Sequence, residues 1–232
     1  MRRGNGGNRM QQRVGQYKLS PSSLSLMEEC ARCFWLERRG VWQRPRGKFP
    51  SLSSGIDGIL KKHFDSFMER GEIPPELSRT ECAEGYRLFD DKEKLRVWRD
   101  NRRGIRWANE RGHTLCGAID ELLVHRSKLV VLDYKTRGYK LKDNTADYYQ
   151  NQLDTYNFLF RKNGYETENH SFLLFHVPKT VTQTGEFLFD TYLVKRPVDV
   201  ANAERLFNEG IGILEGDCQK NIVIGVLACK GV

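Results

Sequence analysis

The chain lacks any run of apolar residues long enough to cross a bilayer. Nowhere in its 232 residues do roughly 18 consecutive apolar positions occur, which excludes a membrane-spanning helix. It also lacks the apolar stretch of a secretory signal near its start. Its six cysteines are few for this length. A secreted disulfide framework is therefore not expected, and a reducing, cytoplasmic setting is, with the cysteines serving as free thiols or metal ligands. No internal repeat is present, so a solenoid is not expected. Acid is missing from residues 1–18, where Arg2, Arg3, Arg9, Arg13 and Lys18 stand alone. Of the 38 Lys and Arg set against 30 Asp and Glu, 33 lie beyond that segment, so most of the +8 net charge belongs to it. Residues 1–18 read as a disordered basic tail, either a loose phosphate-touching arm or an unstructured start with Met10 as the initiator. Residues 19–232 read as one domain, since a 39% hydrophobic chain can bury a core of ordinary size.

Local patterns set the expected elements. LSPSSLSLMEECARCFWLERRG reads as one helix with Ser20 as N-cap and Pro21 in the first turn. SSGIDGILKKHFDSFMERG reads as a second, with Ile59, Leu60, Phe64, Phe67 and Met68 at helical spacing, and DDKEKLRVWRDNRRG as a third. HTLCGAIDELLV and KLVVLDYK are apolar runs joined by His125, Arg126 and Ser127, the pattern of a hairpin. TADYYQNQLDTYNFLFRKNGY follows as a helix capped by Asn144 or Thr145, then the strands SFLLFHV and EFLFDTYLV, then a last helix in VDVANAERLFNEGIGILEG. This order predicts an α/β fold, a mixed central sheet flanked by helices.

Chemistry concentrates at the hairpin. Asp120 lies mid-hairpin on one strand, and Asp133 lies thirteen positions on, near the end of its partner. Two carboxylates at one end of a sheet are donors for a hard divalent cation such as Mg²⁺. Strand alternation puts Asp133 and Lys135 on one face, with the Tyr134 side chain opposite and its carbonyl free to face a metal. A lysine beside metal and phosphate can orient an attacking water. On the next helix, Gln152 and Tyr156 are four apart and share a face. Gly117-x-x-Asp120, Asp133-Tyr134-Lys135 and Gln152-x-x-x-Tyr156, in this order, resemble the PD-(D/E)XK nuclease superfamily, specifically its RecB-like branch, which includes the CRISPR adaptation nucleases.

The resemblance implies a restriction-endonuclease-like core and a metal-dependent endo- or exodeoxyribonuclease acting on single-stranded DNA or DNA ends. It makes Asp120, Asp133 and the Tyr134 carbonyl ligands of Mg²⁺ or Mn²⁺, Lys135 the catalytic lysine, and Gln152 and Tyr156 a helix motif near the DNA. Other DNA-processing proteins are implied as partners. Relatives often carry a further ligand histidine on the second helix; His63 is the counterpart here, although it follows Gly58 by five positions, and Asp57 is an equally suitable oxygen donor. Many relatives also staple their ends with a four-cysteine iron-sulfur cluster. Cys30, Cys33, Cys218 and Cys229 resemble such a set and would hold a 4Fe-4S cluster, with inert thiols as the alternative; the last two are eleven apart, wider than the family's spacing. Cys82 and Cys116 read as isolated buried thiols. Two readings compete with the nuclease: a catalytically silent module binding DNA or a partner through Trp and Tyr platforms, and a metal-stapled structural protein.

Overall fold

The computed structural model describes residues 15–45, 47 and 50–217. Among the described residues, eight strands and seven α-helices make two sheets with helices packed on them. The first elements are β1 (Lys18–Leu19), α1 (Pro21–Glu29), α2 (Ala31–Arg38), α3 (Ser51–Arg70), α4 (Pro75–Ser78), β2 (Arg87–Leu88) and α5 (Lys92–Trp98). There follow β3 (Ile105–Ala108), β4 (Thr114–Gly117), β5 (Glu121–His125), β6 (Lys128–Thr136), α6 (Gln150–Lys162), β7 (His170–Val181), β8 (Phe187–Pro197) and α7 (Val200–Glu215).

The larger sheet runs β2-β5-β6-β7-β8; β6 and β7 are parallel and the other pairs antiparallel. Parallel neighbours need a long crossover, and α6 is that crossover. It therefore lies over one face of β6 and β7. The other face is covered by α3, whose Phe64 ring lies 5.0 Å from that of Tyr134. Two apolar clusters result. Leu153, Leu159, Phe160, Phe175 and Phe207 are buried on the α6 side, and Leu60, Phe64, Leu132, Phe172 and Leu174 on the α3 side. Each such side chain contributes about 1.5–3 kcal/mol by leaving water.

Several expectations are corrected. The first helix is two helices, because Cys30 adopts extended backbone (φ −162°). It ends α1 and caps α2, its Sγ accepting from the Cys33 N–H at 3.2 Å. Of the segment expected as a basic tail, Tyr17 is buried and Lys18 pairs with Thr114, while residues 1–14 lie outside the described residues. HTLCGAIDELLV is two strands in different sheets. β4 joins β1 and β3 in the smaller sheet, β5 joins the larger, and Asp120 sits in the bend between them. His125 is the last residue of β5, and the turn is Arg126-Ser127 alone, both at positive φ (47° and 76°), as a two-residue hairpin of matching twist demands. The helix after β6 begins as a 3₁₀ turn over Thr145–Tyr149, with neither Asn144 nor Thr145 capping α6 itself.

Candidate active site

β5 pairs with β6 only as far as Glu121↔Leu132, because the chain before Glu121 turns away toward β4. Past that point the Asp120 side chain takes over the edge, its Oδ2 accepting the Tyr134 N–H at 3.1 Å. The N–H and C=O of one strand residue point to the same edge, so the Tyr134 carbonyl also faces Asp120. Sequence alternation is respected: the Tyr134 side chain lies opposite, its hydroxyl donating to Glu121 Oε2 at 3.2 Å.

Asp133 is 1% exposed, at the end of an apolar run buried on both faces. Its Oδ1 accepts from Gln152 Nε2 at 2.9 Å, and the same amide donates to the Tyr156 hydroxyl at 2.8 Å. Its Oδ2 accepts no hydrogen bond of good geometry and lies against the Lys135 ammonium as an ion pair. Burial pushes the Asp133 carboxyl up to about 7, against the pull of Lys135, and the neighbouring Asp120 carboxylate pushes the same way. Lys135 Nζ also sits 4.7 Å from the centre of the Tyr149 ring. Burial, with Asp133 beside it, holds the Tyr156 hydroxyl well above its ordinary range, so it stays protonated. Gly117 is what admits Tyr156: a Cβ there would lie 2.7 Å from the ring. The Gly-x-x-Asp spacing thus links the helix contact to the position of Asp120.

Two groups of charges support Asp120. Lys61 of α3 bridges it (Oδ1, 3.0 Å) to Asp57 (Oδ2, 2.8 Å). Arg99 donates from Nε to the Asp120 carbonyl at 2.8 Å and pairs with Glu121 at 2.5 Å and Asp65 at 2.7 Å. Burial pushes the Glu121 carboxyl up to about 7, although Arg99 and the Leu122 N–H oppose it. Lys61, Arg99 and Glu121 were not singled out by the sequence patterns. Glu121 was legible in principle, as a carboxylate opening a strand that is otherwise apolar. Lys61 and Arg99 carry no local signal, since each looks like any surface cation of a charged helix.

Among the described residues no three His, Cys, Asp or Glu groups are drawn together as a formed metal site, while the oxygen donors at this corner are of the kind a hard divalent cation takes. Asp57, Asp120 and Asp133 bring three carboxyl groups to one corner, met by the ammonium groups of Lys61 and Lys135, and burial, with Asp120 beside it, holds Asp133 toward its neutral form. Asp120, Asp133 and the Tyr134 carbonyl could hold such an ion. His63 is not brought to this corner. Its Nε2 lies 3.1 Å from Glu76 Oε1, and its ring packs on Phe67 at 4.9 Å. The reason is helical phase: Asp57 and Lys61 share one face of α3, and His63, two positions on, points about 200° away. Cys30 and Cys33 do come together, sulfurs 2.7 Å apart, whereas Cys218, Cys229 and the side chain of Cys82 lie outside the described residues. Cys116 is half-buried and donates to the Leu19 carbonyl. Among the described residues, no helix is long and apolar enough to cross a membrane.

No curated protein matches the chain. Among solved structures, one titled "Crystal structure of SSO0001" superposes with a TM-score of 0.43 at 16% identity, over 85% of this chain and 77% of that one. The family model described as the PD-(D/E)XK nuclease superfamily matches residues 18–219, a span that runs from β1 past the end of α7 and contains every residue of the corner described above. The chain belongs to the PD-(D/E)XK nuclease superfamily.

Proposed function

We propose that the protein is a metal-dependent DNA nuclease that hydrolyses phosphodiester bonds in single strands or at DNA ends. The observation that carries this reading is the Asp133 carboxylate, buried, shared between Lys135 and Gln152, and set beside Asp120. Asp120, Asp133 and the Tyr134 carbonyl would hold Mg²⁺ or Mn²⁺, which would supply charge relief on the phosphate and a more acidic water. Lys135 is the catalytic lysine: its ammonium, beside Asp133, would donate to a phosphate oxygen or hold the attacking water. Gln152 fixes Asp133 in one rotamer and, through Tyr156, ties it to α6. Arg99 is a positioning residue, gripping the Asp120 backbone rather than the reacting atoms.

The test is cleavage of labelled single-stranded and duplex DNA with Mg²⁺, with Mn²⁺ and with chelator, by the wild type and by Asp133→Asn and Lys135→Ala. Metal-dependent product from the wild type alone is the expected result. Equal cleavage by all three proteins would refute the assignment, and metal-insensitive binding without product would replace it by the silent module.

A further inference from the structure

A groove of about 740 Å³ lies beside the corner just described, against the smaller sheet. It is lined by Gln152 and Tyr156, the two side chains tied to Asp133, and by Tyr148 and Tyr149, while Asp120, Asp133 and Lys135 themselves stand outside its lining. One wall is α1 and α2; the other is the chain from Asn101 to Arg106 that leads into β3. It adjoins a second hollow, with which it shares Lys18, Ser20, Glu37, Arg38, Asn101 and Cys116.

The walls are basic. Lys18, Arg38, Arg44, Arg103 and Arg106 line the groove against two carboxylates, Glu29 and Glu37. Those acids pair with Arg44 and Arg38. That leaves three cations with little to satisfy them. Lys18 has no ion pair among the described residues, Arg106 donates only to the carbonyls of Arg102 and Arg103, and Arg103 meets Asp100 loosely at 3.7 Å. Exposed uncompensated cations at one recessed surface attract polyanions. The exposed hydroxyls of Ser22 and Ser25 add hydrogen-bonding groups to the same wall. Tyr148, 73% exposed, offers a ring for a base to stack on. The volume lies in the range of pockets that swallow compact ligands, roughly 300–1,000 Å³, enough for a few nucleotides of one strand and too little for a duplex.

We infer that this groove is the track of a single nucleic-acid strand, with Lys18, Arg103 and Arg106 on its phosphates and Gln152 at the end where the strand meets the carboxylates. The inference rests on the nuclease reading for its direction, and the two fail separately. Binding is measured with the Asp133→Asn protein, in which nothing is cut, by anisotropy of a labelled single-stranded oligodeoxynucleotide across a salt series. Replacing Lys18, Arg103 and Arg106 together by Glu is expected to lower the slope of log K against log salt by about 2, since a single strand contributes about 0.7 per phosphate neutralised. Single Ala replacements are expected to remove about 0.7 each. A control reversing Arg70, Lys92 and Lys94, exposed cations outside the groove, is expected to leave the slope in place. A blunt duplex of the same length is expected to compete poorly. Equal losses in the groove variant and the control, or a duplex that competes as well as the strand, overturns the groove assignment even if the wild type cleaves DNA. An intact groove effect with no metal-dependent cleavage overturns the nuclease reading alone.

Discussion

Two clusters of titratable side chains lie on opposite faces of the larger sheet, and they are built on different terms. On the α6 face Asp133, Lys135 and Gln152 meet Asp120: Asp133 Oδ1 accepts from Gln152 of α6, its Oδ2 lies against the Lys135 ammonium, and Asp120 accepts the Tyr134 N–H. On the α3 face His63 pairs with Glu76 at the surface, and beneath them His176 of β7 is buried with no hydrogen bond to either ring nitrogen. Coupled and charged, the first is suited to a cation. The second is suited to a neutral imidazole. The difference comes from helical phase: α3 turns Asp57 and Lys61 toward Asp120 and turns His63 to the other cluster.

If that contrast is right, substitutions in the two clusters must separate. Asp133→Asn and Lys135→Ala are each expected to lower cleavage on the order of 10²–10⁴-fold, while His63→Ala stays near wild type in the same assay. A His63→Ala loss as large as that of Asp133→Asn would break the comparison. Next in size is Arg99→Met, which strands the buried Glu121 carboxylate; breaking a buried pair costs about 3–5 kcal/mol, read by urea unfolding. Opening the half-exposed His63–Glu76 pair costs roughly 0–1 kcal/mol by the same method. Thermal melts give a third test. Mg²⁺ or Mn²⁺ at a hundredfold excess over its Kd is expected to stabilise the wild type and His63→Ala by about 2.7 kcal/mol and to leave Asp133→Asn unmoved. Equal metal shifts in all three proteins would place the cation elsewhere.

Much of the first cluster was legible in the sequence, because it is carried by short-range patterns. Asp133-Tyr134-Lys135 obeys strand alternation, and Gln152 and Tyr156 obey helical spacing, so their faces follow from counting. Asp120 was found by its distance from Asp133, yet its place in a bend was hidden, since GAID reads as the middle of one apolar run and nothing local says that two sheets divide there. Gly117 explains the division: it is the point where the ring of Tyr156 rests on backbone. Arg99 and Lys61 were invisible because their partners are 22 and 59 positions away. The strand β3 was missed for a related reason. Its four residues IRWA pair only with β4, and so short a run cannot be told from a loop by periodicity.

The smallest expected effect concerns His176. Burial lowers its pKa from the usual histidine value; His63 acts in the same direction, and Glu76 acts against them. A histidine whose folded pKa is depressed binds fewer protons folded than unfolded. Its contribution is therefore fully present above about pH 6.5 and is lost as pH falls below that value, at up to about 1.4 kcal/mol per pH unit. His176→Leu keeps the apolar packing against the α3 side and removes the proton site. The stability difference between wild type and His176→Leu, from urea unfolding at several pH values, is thus expected to be flat above neutrality and to tilt toward the variant in acid. A difference that stays flat down to pH 5 would mean that the imidazole takes up protons in the fold as it does in the unfolded chain, with Glu76 offsetting its burial, and the α3 cluster would then not be the neutral counterpart of the first.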